Sequence, residues 1–265
     1  MVPEARACRA SWYRGHHRSG TARGSPISVP RSISAVLPAF NESAVIATTV
    51  RRTHEALESA GAGSFEVIVV DDGSGDATKS ECEAIAATLP RVRVISHGAN
   101  RGYGRALRTG FEAASGDAVL LMDSDGQFDP NDVQRLLPHW TERTVVCGYR
   151  AHRNDPLFRR LNNAAFFAVV NARVGRTARD VNCGFKLFPA AVGRGLTSDG
   201  ALVSTELLVK ARDDGYRIID VPIPHAPRLT GSPTGAKPSV VLRAFTELWD
   251  MDRQRRRMLR RERTS

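Results

Sequence analysis

The 265-residue sequence contains only four cysteines, Cys8, Cys82, Cys147 and Cys183, and no two of them form a CxxC pair. Neither a zinc cluster nor a disulfide framework is therefore expected, which fits a reducing cytosol. No run of 18 apolar residues occurs. The longest apolar patch, residues 164–170, falls well short of the roughly 20 residues that cross a bilayer. A soluble or peripheral protein is expected from this. Residues 1–31 are rich in Arg, Gly and Ser and lack the apolar h-region of a secretory signal, so they read as a disordered basic tail. No internal repeat is present.

What is plentiful is positive charge, and its distribution matters more than its sum. The formal net charge is +10, but residues 1–31 hold six Arg against one Glu, and residues 243–265 hold eight Arg against four acids. Residues 32–242 are almost neutral, with 24 basic and 23 acidic side chains. A non-enzymatic nucleic-acid-binding protein with basic tails is one reading of such a chain. The neutral body argues against it, and no nucleic-acid partner is expected.

From Ile33 onward the pattern alternates. Short β-branched apolar runs fall at 33–37, 65–70, 92–95, 118–122 and 144–147, each followed by turn residues, as buried parallel strands tend to be. Between them, residues 43–60, 76–88, 103–115 and 130–139 read as helices, with Ser43 as an N-cap, Gly61 as a stop and Pro130 in a first turn. This order predicts an α/β fold with a mostly parallel central sheet. Ligands in such sheets bind at the carboxyl ends of the strands.

Four loops should converge at that edge: PAFNES, DDGSGDAT, HGANRGYGRALRTG and DSDGQFDP. In the last, Asp123 and Asp125 are separated by one residue and Gln127 follows. Such oxygen ligands suit a hard divalent cation such as Mg²⁺, which also takes substrate phosphate oxygens; the competing reading is an acidic turn. Asp71 and Asp72 end a strand, where an acid could bond a ribose hydroxyl or a base edge, whereas Asp76 reads as a helix cap. Gly102-Tyr103-Gly104 invites a dinucleotide-binding reading. It fails because Leu107 stands where glycine is required and the motif follows the third strand; close backbone packing is the expected role.

Taken in order, VLPAFNES (36–43), VIVVDDGSGDAT (67–78), NRGYGRALRTGF (100–111), LLMDSDGQFDP (120–130), GYR (148–150), NCGFKLF (182–188) and residues 204–231 resemble the family-2 glycosyltransferases of GT-A (Rossmann-like) fold. The look-alikes are polyprenol-phosphate mannosyl- and glucosyltransferases. The resemblance implies inverting, metal-dependent transfer of a hexose from a nucleotide sugar to a polyprenyl phosphate. It places Pro38, Phe40, Asn41 and Glu42 around the nucleoside, with Val70 and Asp72 beside it. Asp123, Asp125 and Gln127 would hold Mg²⁺ or Mn²⁺ against the diphosphate, with Asp125 counted among the catalytic residues. Arg150, also counted as catalytic, would meet the diphosphate or the acceptor phosphate, Arg159 or Arg160 would add a further cation, and Arg228 would close over the donor. Two departures stand out: Phe40 replaces a common Tyr, and Thr234 occupies a usual Lys slot with Lys237 three residues on.

A lipid phosphate needs no strong base, but a hydroxyl acceptor would. Asp180 and Glu206 are the candidates for that role, with helix capping the other reading of Glu206. A family-2 enzyme acting on a soluble hydroxyl compound or growing glycan is thus the second enzymatic reading. The expected organisation is a tail at 1–31, a catalytic domain at 32–235 and a basic amphipathic helix at 236–265. In that helix Val241, Phe245, Leu248 and Trp249 share a stripe followed by arginines, suited to an anionic membrane surface. This predicts a cytoplasmic protein peripheral to the inner face of a membrane, with contact made directly or through a membrane partner subunit.

Overall fold

The five apolar runs form strands in the computed structural model, which describes residues 29–150, 168–200, 202–227, 246–249, 251–253 and 255. They are β1 (Ser32–Ala39), β2 (Ser64–Asp71), β3 (Val92–Ser96), β4 (Ala118–Met122) and β5 (Thr144–Arg150). Two more complete the sheet, β6 (Phe185–Pro189) and β7 (Arg217–Ile223). The alternation does not reveal them. β6 carries a lysine at its second position, and β7 is a half-exposed edge strand whose Pro222 is tolerated there.

The strand order is β3-β2-β1-β4-β6-β5-β7. β1 pairs parallel with β2 and β4, β2 with β3, and β5 with β7; β6 runs antiparallel to both its neighbours. The sheet is thus mostly parallel, as expected. Because the chain steps outward from β1 through β2 to β3 and then returns to place β4 on the other side of β1, the order reverses at β1. The crevice above the carboxyl ends of β1 and β4 is the topological switch point.

Both faces of the sheet are covered, which is why the strands read as continuous apolar runs. Ile33, Ala35, Leu37, Val67, Val69, Leu120 and Met122 pack with residues of helices α1 (Ile46–Ser59) and α2 (Thr78–Thr88). Val36, Ile68, Val70, Val119 and Leu121 pack on the other side with α3 (Tyr103–Ala113), and that core extends to the later helices α5 and α6 defined below.

Helix α1 starts later than Ser43. Its first turn hangs on the Glu42 carbonyl, which accepts the N–H groups of Val45 and Ile46 at 3.0 Å each, while the Ser43 N–H goes to Asp76. Gly61 does end it, at φ +72. Residues 130–139 form not one helix but a 3₁₀ turn, a short α4 (Val133–Leu136) and a second 3₁₀ turn. Pro138, without an N–H, prevents a regular helix from continuing.

After β6 come α5 (Ala190–Gly193) and α6 (Val203–Asp213). A third apolar cluster joins Val170 and Val174 of the helical stretch 168–174, Leu202, Val209, Leu248 and Met251. The stripe expected at the C-terminal end is therefore divided. Leu248 is buried against the body, whereas Trp249 is half exposed and carries the Arg173 guanidinium 4.1 Å from its ring centre. Val241 and Phe245 lie outside the described residues. Among the described residues no helix is long and apolar enough to cross a membrane.

Candidate active site at the carboxyl edge of the sheet

The loop after β4 is anchored to β1 by the Ser124 hydroxyl, which donates to the Pro38 carbonyl at 2.7 Å. This bond brings Asp123 and Asp125 to the switch point. The Asp123 N–H donates to the Gly184 carbonyl at 2.9 Å, so β6 supports the pair from the other side. Gly184 lies against the Asp123 carboxylate so closely that a methyl group there would overlap it. The Tyr103 hydroxyl donates to Asp123 Oδ1 at 2.8 Å.

Burial and the neighbouring Asp125 charge push the Asp123 carboxyl up to about 6, against the opposing pull of the Tyr103 hydrogen bond, Lys186 and Arg150. Two acids close enough to perturb each other form a site that a divalent cation would relieve. Among the described residues no cluster of three or more His, Cys, Asp or Glu ligands occurs. Two carboxylates suit Mg²⁺ or Mn²⁺, which keeps waters and takes diphosphate oxygens, better than a closed zinc site. The donor set fits such a metal.

Gln127 is engaged with a different segment. Its side-chain amide donates to the Ala226 carbonyl at 2.8 Å, and the Ala226 N–H returns a bond to the Gln127 carbonyl at 2.9 Å. Phe128 stacks edge-on with His225 at 4.9 Å. The chain leaving β7 is thus tied to the Asp-rich loop. Arg228, two residues further on, lies outside the described residues, as do Arg159, Arg160, Thr234 and Lys237.

At the end of β1, Phe40 is 41% exposed, and Asn41 adopts φ +56. Asn41 is held to the loop after β2 in both directions: its N–H donates to the Ser74 hydroxyl, and its side-chain oxygen accepts the Gly75 N–H. The Glu42 N–H donates to the Thr78 hydroxyl at 2.8 Å. Asp76 accepts the Thr78 N–H and hydroxyl at the start of α2, the local stabilisation expected of it. Val70 has no exposed surface, and its side chain belongs to the core beneath α3.

Asp72 is buried, and its carboxylate is occupied. Oδ1 accepts the Arg101 N–H at 3.0 Å and meets His97 Nδ1 at 2.7 Å; Oδ2 accepts the Gly102 N–H at 2.8 Å. The other His97 nitrogen meets the Thr109 hydroxyl at 3.0 Å. In this arrangement Asp72 orders the glycine-rich loop.

Arg150 and Asp180 meet. The guanidinium grips the carboxylate with two bonds of 2.8 and 3.0 Å, in a half-buried setting. Glu206 serves the loop before α6: its carboxylate accepts the Thr197 N–H and hydroxyl and the Ser198 N–H, each at 2.8 Å. Lys186, fully buried, donates to the Cys183 carbonyl just ahead of Gly184.

Sequence reasoning missed Tyr103, Gly184, Lys186 and His97. Tyr103 was in view only as the middle of a glycine pair. Gly184 and Lys186 lay inside NCGFKLF, where a glycine and a charge in an otherwise apolar strand were the available signals.

Residues 34–197 match the sequence profile of Glycosyl transferase family 2. Two curated relatives are Glycosyltransferase AglD of Haloferax volcanii and the undecaprenyl-phosphate 4-deoxy-4-formamido-L-arabinose transferase of Pectobacterium carotovorum. The first is 33% identical over 74% of this chain and 33% of its own length, and the second 29% identical over 76% and 62%. The chain thus spans between a third and two thirds of these relatives. A solved structure of glucosyl-3-phosphoglycerate synthase from Mycobacterium tuberculosis, containing Mn²⁺, UDP-glucose and phosphoglyceric acid, shares the fold. Its TM-score is 0.62 at 24% identity, covering 84% of this chain and 80% of that one.

Proposed function

The chain belongs to glycosyl transferase family 2, and from that premise we propose that it transfers a hexose from a nucleotide sugar to a polyprenyl phosphate with inversion at the anomeric carbon. The observation that carries the reading is the Asp123–Asp125 pair held at the switch point by Ser124, Tyr103 and Gly184. Asp123 and Asp125, with Gln127, would hold Mg²⁺ or Mn²⁺, which would neutralise charge on the departing nucleoside diphosphate. Phe40, Asn41 and Glu42 line the nucleoside end of the cleft. Arg150 orients phosphate, and Arg228 is assigned a second phosphate contact by resemblance alone.

The acceptor assignment rests on the state of the candidate bases. Asp180 is clamped by Arg150, and Glu206 is saturated by Thr197 and Ser198. Neither is poised to take a proton from a hydroxyl. A polyprenyl phosphate is already ionised at neutral pH, so the enzyme has only to position it and screen charge. The undecaprenyl-phosphate transferase among the relatives supports this reading.

Membrane contact is assigned to the outer face of the C-terminal segment, where Trp249 is exposed with the Arg173 guanidinium over its ring. On this reading the protein works at the cytoplasmic face of a membrane, bound peripherally or through a partner subunit.

Incubation with Mn²⁺ and radiolabelled UDP-glucose or GDP-mannose, with and without polyprenyl phosphate, tests the proposal. Butanol-extractable label that requires the lipid is the expected result. The structural likeness to a phosphoglycerate glucosyltransferase makes 3-phosphoglycerate the control acceptor. Transfer to it alone would move the chain to the soluble-acceptor reading.

A further inference from the structure

The Gly102-Tyr103-Gly104 motif is a device for presenting one hydroxyl. Gly102 adopts φ +99, a conformation that suits glycine, and its N–H is captured by the buried Asp72 carboxylate. A side chain at Gly104 would stand 2.6 Å from backbone atoms of Asp199 and Gly200, and one at Gly102 2.9 Å from the Asp199 carbonyl. The Arg105 N–H also donates to that carbonyl, and Arg108 grips the Asp199 carboxylate at 2.6 Å. The first turn of α3 is therefore fixed from below by Asp72 and His97 and from the side by residues 199–200. The glycines serve this packing and do not cradle a phosphate.

Between them stands Tyr103, whose ring is 40% exposed at the cleft while its hydroxyl reaches Asp123 Oδ1 at 2.8 Å. A phenolic hydroxyl facing a carboxylate oxygen at this distance can only donate to it. Asp123 is bounded on its other side by Gly184. A carboxylate held between a donor and a glycine wall keeps one rotamer. An oxygen that accepts one hydrogen bond retains a further lone pair for a cation.

We propose that Tyr103 is a positioning residue that sets the Asp123 carboxylate for the divalent cation accompanying the nucleoside diphosphate. The proposal rests on the metal-site reading above. A group already in place when the ligand arrives binds it more tightly than one that must be ordered first. The rigid loop spreads that preparation from Asp72 through Gly102 to the metal ligand.

The test is Tyr103→Phe, which removes one oxygen and leaves the ring. Mn²⁺ binding is followed by electron paramagnetic resonance in the presence of UDP or GDP, and nucleotide binding is measured separately in EDTA. The expected result is roughly three- to tenfold weaker Mn²⁺ affinity, with metal-free nucleotide affinity and the melting temperature unchanged. Equal Mn²⁺ affinity in the variant and wild type overturns the proposal. So does a parallel fall in metal-free nucleotide binding, which would make the hydroxyl a nucleotide contact. If wild-type protein takes up no Mn²⁺ with either nucleotide, the metal-site reading itself fails and takes this proposal with it.

Discussion

Substitution of Gly184 by alanine puts the geometry of the site under direct strain. Gly184 does not have a positive φ, so alanine can adopt its backbone conformation and the effect is steric alone. The new methyl would lie 2.5 Å from Asp123 Oδ1 and closer still to Oδ2 and Cγ, where about 3.0 Å is the nearest approach a Cβ tolerates. The carboxylate must rotate or retreat, and either movement breaks its alignment with the Tyr103 hydroxyl. Forcing a methyl into a filled space costs about 1–3 kcal/mol. For a chain of this size each kcal/mol lowers Tm by about 2–4 °C. Mn²⁺ affinity in the presence of UDP or GDP should fall at least tenfold, because the displaced oxygen is a proposed ligand. Thermal melts and spin-resonance titration read the two effects. Gly98→Ala is the control, because nothing lies within 4 Å of a Cβ there and its φ is not positive. Wild-type Tm and wild-type Mn²⁺ affinity in Gly184→Ala would refute the argument that β6 walls in Asp123.

Four further outcomes are expected. Asp125→Asn should abolish metal-dependent nucleotide binding while the protein stays folded; unchanged affinity in an equilibrium titration would remove the metal assignment. Glu66 joins β2 to Ser34, Arg93 and Ser115. Burial alone would raise its carboxyl, but these donors outweigh it and hold the group down at about 2, from an ordinary 4.5. Its folded value is depressed, so its stabilisation is complete above pH 4.5 and is lost as pH falls towards 2. Acid denaturation of Glu66→Gln should lack that component, of at most about 3 kcal/mol, and identical profiles in that window would contradict it. Leu248→Ala should destabilise by about 2–4 kcal/mol because the side chain is 2% exposed in a core cluster. Trp249→Ala should leave Tm nearly unchanged but reduce flotation with anionic liposomes; equal flotation would mean that this residue is not an anchor.

Much of the architecture was legible because it rests on local patterns. A buried parallel strand must be apolar on both faces, so five strands declared themselves as β-branched runs, and Gly61 declared the end of α1. β6 and β7 did not, since Lys186 interrupts one and an exposed edge dilutes the other. The two-part stripe around Leu248 and Trp249 also looked uniform in sequence, because helical spacing does not say which side meets the body. Ser43 looked like a cap, but α1 begins only at Ile46 and no side chain caps its first turn.

The same division runs through the site. Local order along the chain dictates that acidic and glycine-rich loops follow the strands, that Asp123 and Asp125 are separated by one residue, and that about nine of the ten net charges lie outside residues 32–242. These properties are fixed by neighbours along the chain. How the side chains are employed depends on packing between distant segments. Asp72, expected at the nucleoside, is spent on the Arg101 and Gly102 amides and His97; Asp180 is clamped by Arg150; Tyr103 and Gly184 bracket Asp123 from α3 and β6. A hydrogen-bond partner 20 to 90 residues away leaves no mark on local periodicity, and a glycine required by another strand's carboxylate looks in sequence like any other glycine.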